Sequence, residues 1–183
     1  MPKIVLLSGA IASGKTTVAE ELIRRHGFRL LKSSDFLKGV CTSKGVEINR
    51  ANLQKAGDDL DLDTDYAWLV SQVAAPQITS TPEQTYWLID AVRKERQIEH
   101  FRALYGSAVL HAHLWAPEEV LAARYEKRRR AGGAHEGTTS YADAAAHPNE
   151  VSSRALRAHA DVTINIDRIP APAASDAVAS LVG

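Results

Sequence analysis

An eight-residue stretch near the N-terminus, Gly9-Ala10-Ile11-Ala12-Ser13-Gly14-Lys15-Thr16, constrains this chain more than any other feature. It has the spacing Gly-x-x-x-x-Gly-Lys-Ser/Thr, preceded by apolar Ile4-Val5-Leu6-Leu7 and followed by helical patterning over 16–25. A strand running into a loop that opens a helix satisfies both flanks, and that is the context the spacing needs. Gly9 and Gly14 accept backbone angles that a side chain resists, so the loop can curl with its N–H groups turned inward. Those donors and the positive end of the following helix form a cradle for a polyphosphate. Gly9, Ala10, Ile11, Ala12, Ser13, Gly14, Lys15, Thr16 and Thr17 are the residues expected to bind a nucleoside triphosphate. Lys15 would reach its β- and γ-phosphates, and the Thr16 hydroxyl would bind Mg²⁺.

The rest of the composition narrows the setting. A chain of 183 residues can bury one sizeable core, so a single domain over 1–183 is expected. The formal net charge is zero, which removes any global electrostatic argument for nucleic acid or membrane and leaves local clusters to carry it. One cysteine, Cys41, permits neither a disulfide framework nor a cysteine metal site. No run of about 18 apolar residues suggests a membrane span, and Met1-Pro2-Lys3 leads into a short strand rather than a signal peptide, so a cytoplasmic protein is expected.

Hydrophobic periodicity predicts strands at 3–8, 28–31, 85–90, 108–115 and 161–166. Helices are expected at 14–26, 49–60, 64–75, 94–105, 117–130, 140–146, 149–160 and 175–182, with a turn-rich connection over 76–82. Val18, Ala19, Leu22 and Ile23 share one face of the first helix, and Ile98, Phe101 and Leu104 one face of a later one. Five strands alternating with helices predict an α/β protein with a parallel, doubly wound sheet. His111 and His113 share a strand face, and packing or hydrogen bonding explains them better than metal ligation. The aspartates at 58, 59, 61 and 63 lack the spacing of a calcium loop and read as a solvated helix link.

Ligands of open α/β sheets bind beyond the carboxyl ends of the strands. Three segments fall there. Ser33-Ser34-Asp35-Phe36-Leu37-Lys38 follows the second strand; it suits a helix N-cap, and it also offers Asp35 to accept a proton from an acceptor hydroxyl or, with Lys38, to hold an acceptor. Asp90 ends the third strand, where a carboxylate orients Mg²⁺ or its water, and Arg93 follows with a guanidinium suited to a bidentate phosphate contact. Arg124 and Arg128, one turn apart on a cationic helix before Gly132-Gly133, suit a hinged lid over the triphosphate. Arg50 is placed either to add a cation over the acceptor pocket or to serve surface solubility, and the sequence favours neither.

Together with the arginine-rich helix, these elements make the whole chain resemble the P-loop nucleoside and nucleotide kinase superfamily. Its nearest likeness is to the deoxynucleoside monophosphate kinase-like and dephospho-CoA kinase-like proteins often labelled AAA-family ATPases. The Asp90-x-x-Arg93 element and the segment His159-Ala160-Asp161-Val162-Thr163-Ile164-Asn165 are similar to theirs. The resemblance implies a three-layer P-loop kinase fold, with parallel strand order 2-3-1-4-5 between helices, acceptor-side helices over 42–82 and a small lid over about 124–147. It implies ATP and Mg²⁺ as cofactors, acceptor contacts from Ser34, Asp35 and Lys38, and a phosphate contact from Arg93; Arg50 and Asp90, by their places in the chain, join the expected acceptor-binding residues. Lid arginines, here Arg124 and Arg128, would close on ATP. Two departures bear on the acceptor: Ala12 stands where many nucleotide kinases have glycine, and Lys38 where adenylate kinases have arginine.

The expected partners are ATP and a small-molecule acceptor, a (deoxy)nucleoside monophosphate first. The alternative is a free hydroxyl on a nucleoside, a nucleic acid or a small metabolite, with Asp35 as general base. The protein is expected to be a monomer or a homodimer. An ATPase or nucleotide switch is the lesser alternative: a GTPase would need an Asn-Lys-x-Asp motif, which the sequence lacks, and 183 residues leave little room for the helical lid domain of an AAA+ motor.

Overall fold

The central strand is apolar on both faces, and the rest of the fold is built outward from it. A computed structural model of the chain describes residues 1–131 and 139–183. Strands β1 (Lys3–Gly9), β2 (Arg29–Leu30), β3 (Tyr86–Ile89), β4 (Val109–Trp115) and β5 (Val162–Asn165) form one sheet in the order β2-β3-β1-β4-β5. Every pairing is parallel. The order is the one the kinase resemblance implies.

Alternation along the strands feeds two cores. Val5, Leu7, Leu88, Ala112 and Leu114 point to one face, where α1 (Lys15–His26) and α9 (Ala171–Ser180) cover them with Val18, Leu22, Ala174 and Val178. Ile4, Leu6, Trp87 and Ile89 point to the other face. There they meet Ile98 and Phe101 of α5 (Glu95–Tyr105) and Leu69 and Val73 of a π-helical stretch, Leu69–Ala74. A strand buried on both sides reads as a continuous apolar run, as 4–7 does.

The remaining α-helices among the described residues are α2 (Ser33–Ser43), α3 (Arg50–Asp63), α4 (Ala75–Ser80), α6 (Glu118–Arg130), α7 (Tyr141–Ala146) and α8 (Pro148–Ala155). Several expectations need correction. The segment 76–82 is largely helical: α4 carries Pro76 in its first turn, where the missing N–H costs nothing. For the same reason α9 begins at Ala171, with Pro172 inside its start. Ile23 and Leu104 lie at the rims of their apolar stripes and are exposed. The acidic link at 58–63 continues α3, and Asp61 is only half-exposed.

Beneath the loop that follows β1, the sheet carries a buried polar chain. His111 Nδ1 faces the His159 carbonyl at 3.2 Å, so that nitrogen donates and Nε2 is the bare acceptor. Ser8 Oγ therefore donates to His111 Nε2 at 2.7 Å and accepts from His113 Nδ1 at 2.8 Å. Burial first, then the neighbouring His111, Lys15 and Arg157, push the His113 pKa down to about 4. The unfolded chain takes up this proton below about pH 6.5, while the folded state resists it until about pH 4. Stability should therefore fall as pH drops from 6.5, by roughly 3 kcal/mol at pH 4. Urea midpoints at pH 7 and pH 4.5 measure this slope, and His113→Asn should flatten it.

Candidate active site

The strand order reverses at β1, so the crevice beyond the carboxyl ends of β1 and β3 is the ligand position of such a sheet. The loop from Gly9 to Gly14 lies in it. Gly9 (φ 148°) and Gly14 (φ 76°) take positive angles, and Gly14 caps α1 in the left-handed region. Ala12 is left-handed too (φ 64°), a conformation that costs an L-residue roughly 1–2 kcal/mol. Glycine would sit there without strain, which gives the departure at this position a physical content.

Lys15 folds back over the loop and donates to the carbonyls of Gly9 and, at 3.2 Å, Ala10. Burial lowers its pKa to about 8; Arg93 and Arg128 push the same way, and Glu150 and Asp90 oppose them. Thr16 and Thr17 are exposed at the start of α1. Asp90 follows β3, within electrostatic reach of Lys15. Burial raises its carboxyl pKa, while Lys15, Arg93 and Lys32 hold it down.

One carboxylate at this site was not legible in the sequence. Glu150, in the first turn of α8, accepts from the Ile11 amide at 2.7 Å through Oε2, and its Oε1 lies 4.0 Å from Arg93 Nη1. Ser153, one turn later, donates to the Gly9 carbonyl at 3.1 Å. Helix α8 is thus bonded directly to the phosphate loop. The sequence signal was only an acidic residue in the first turn of a proline-led helix, which the helix dipole explains equally well.

A cavity of about 690 Å³ opens beside the loop, with Ile11 and Glu150 on its wall. Arg50, Arg93 and Lys94 supply its cations, and Leu37, Leu53 and Trp68 much of its apolar surface. Arg50 and Arg93 thus line this cavity, and Asp90 and Arg93 lie within electrostatic reach of Lys15. The α2 residues divide. Ser33 and Leu37, four apart, line the cavity. Ser34, Asp35 and Lys38 fall on another face of α2 and are exposed, with Lys38 Nζ donating to Asp35 Oδ1 at 2.9 Å. That bond lowers the Asp35 pKa. Helix phase decides this, and a register one residue off exchanges the faces.

Arg124 and Arg128 also separate. Arg124 donates to the Ile166 carbonyl at 3.1 Å and ties α6 to the end of β5, whereas Arg128 acts on Lys15 electrostatically. Arg154 joins α8 to Glu118 of α6 at 2.7 Å and to the Tyr141 hydroxyl of α7 at 2.9 Å. The Gly132-Gly133 hinge and most of the loop after it lie outside the described residues.

Fold and site together define the class: a P-loop nucleoside triphosphate kinase, a phosphotransferase. A family model described as an AAA domain matches residues 4–157, and the chain belongs to that family. Adenylate kinase isoenzyme 1 of Cyprinus carpio is 29% identical over 135 residues, 72% of this chain and 66% of that protein. A UPF0200 protein of Methanosarcina mazei is 28% identical over 130 residues, 71% of this chain and 68% of its own. The chain thus aligns with about two thirds of each curated relative's length. An unliganded sugar kinase from Janibacter sp. HTCC2649 shares the fold at a TM-score of 0.56 and 17% identity, over 97% of this chain and 93% of that one.

Proposed function

We propose that this protein transfers the γ-phosphate of ATP to a (deoxy)nucleoside monophosphate. The observation that carries the reading is a single cavity whose wall runs from the phosphate-loop residue Ile11 to the cations Arg93, Lys94 and Arg50. A phosphorylated acceptor in it has cations for its charge beside the loop that holds the donor. The carp adenylate kinase supports the same acceptor class.

The residues carry the chemistry as follows. Amides of the loop and Lys15 bind the triphosphate, and Lys15 stabilises charge on the transferring phosphoryl group. Arg93 orients the acceptor phosphate for in-line attack. Glu150 must release Arg93 and the Ile11 amide as phosphate arrives, because a carboxylate and a phosphate compete for the same donors. Arg128, near Lys15, adds positive charge from α6, with 124–147 as the lid region and 42–82 as the acceptor-side helices. Thr16 and Asp90 fit Mg²⁺: each offers an oxygen near the loop, and such an ion takes its other ligands from phosphate and water. When bound, it neutralises charge between the β- and γ-phosphates.

A hydroxyl acceptor, on a nucleoside, a nucleic acid or a metabolite, would need a base. Asp35 is exposed, paired with Lys38 and made less basic by it, and it does not line the cavity. A monophosphate is already ionised and needs none. Asp35→Asn should therefore change kcat by less than about tenfold, since loss of a true general base costs about 10²-fold or more. Steady-state rates of ADP release for the variant decide it; a loss of that larger size would move the reading to a hydroxyl acceptor.

A further inference from the structure

Helix α3 presents Arg50, Gln54, Gly57 and Asp61 to the cavity at helical spacing. Gly57 is in mid-helix, where glycine is the poorest choice after proline. Packing does not require it. A methyl group there would have one neighbour within 4 Å, Leu37 Cδ1 at 3.8 Å, an ordinary contact. The glycine leaves a strip of bare backbone on the cavity wall, beside the apolar Leu37, Leu53 and Trp68. A flat ring can lie against such a strip.

Asp61 lies one turn further along the same face. Its Oδ1 accepts from Trp68 Nε1 at 2.7 Å and from Gln97 Nε2 at 3.3 Å. Neither partner can reverse its role. An indole N–H only donates, and Gln97 Oε1 is held by the amides of Arg93 at 2.9 Å and Lys94 at 3.3 Å. These bonds fix Oδ1 as an acceptor; Oδ2 carries neither of them and accepts as the free oxygen of the ionised carboxylate. A ligand edge facing it must donate. Among the common bases only guanine has two adjacent donors on one edge, N1–H and the 2-amino group. Adenine and cytosine set an acceptor beside their amino group, and uracil and thymine flank one N–H with carbonyls.

We propose that the acceptor is a guanine nucleotide, its base lying along the Gly57 strip with N1–H and the 2-amino group on Asp61. This rests on the monophosphate reading above and narrows it. The indole and the Gln97 amide hold the carboxylate in place, so recognition needs no rearrangement of the cavity wall.

The test is a kcat/KM series for GMP, dGMP, AMP, CMP, UMP and dTMP with saturating ATP, on three proteins. For the unaltered protein, guanine should be preferred by about 10²-fold, because other bases leave the carboxylate facing an acceptor. In Asp61→Asn, Trp68 and Gln97 hold the amide oxygen and turn the NH₂ toward the base. GMP should then lose about 10- to 100-fold in kcat/KM, with the KM for ATP unchanged. Gly57→Ala should raise the thermal midpoint, because alanine favours the helix, while raising the KM for GMP; a folding defect cannot produce that combination. Phosphorylation of monophosphates without a guanine preference, or a preference unchanged in Asp61→Asn, would overturn the inference and leave the monophosphate reading standing. Turnover of none of them by the unaltered protein would overturn both.

Discussion

Lys15→Ala is expected to lower kcat by about 10³-fold without lowering the thermal midpoint. Both halves follow from the same burial. The ammonium is held against the Gly9 and Ala10 carbonyls with its pKa pressed down to about 8, so the folded state gains nothing from its charge. A lysine whose folded pKa lies below its unfolded value opposes folding most where it is charged in both states, below about pH 8. Removing it should leave the protein as stable at pH 7, or more so. Its charge has value only opposite the phosphates, where one preorganised donor contributes about 10²- to 10³-fold. Initial rates and a thermal melt on the same preparation check both halves, and an active Lys15→Ala protein would contradict the assignment of the loop.

Gly9→Ala should fail for a different reason. Gly9 pairs with Leu114 across the β1–β4 ladder at φ 148°, an angle that disfavours any side chain. A methyl group there would run into the Leu114 carbonyl oxygen and come within 2.7 Å of Ser13 Oγ. Ser13 is buried, and the carbonyl belongs to a neighbouring central strand, so neither can yield cheaply. A loss of about 2–4 kcal/mol is expected, which is roughly 4–16 °C in the midpoint for a chain of this length. Gly14→Ala is the control: a side chain meets nothing within 4 Å there and carries only the strain of φ 76°, about 1–2 kcal/mol. Midpoints for the pair should differ in that order.

The sequence made the phosphate loop and the sheet legible because both depend on local signals. Glycine spacing sets the loop, and the continuous apolar run over 4–7 marks β1 as a strand buried on both faces. The site was legible where a residue is tied to a strand end, as with Asp90 and Arg93. It was less legible on helices, where function depends on phase. Asp35 had the right chemistry in the right segment, but the α2 register gives the cavity Ser33 and Leu37 instead. Asp61 was hidden among aspartates whose composition suggested solvent, and only its bonds to Trp68 and Gln97 single it out. Glu150 reaches the loop from 139 residues away, a contact that no local pattern encodes.

Phosphoryl transfer itself is the direct test. The purified protein is incubated with γ-labelled ATP, Mg²⁺ and each of a panel of nucleoside monophosphates, nucleosides, oligonucleotides and small alcohols, and the labelled products are separated. Label is expected on a monophosphate, giving a diphosphate in equal amount to the ADP released. Label confined to hydroxyl acceptors, or ATP hydrolysis at a rate that no acceptor changes, would contradict the proposed transfer.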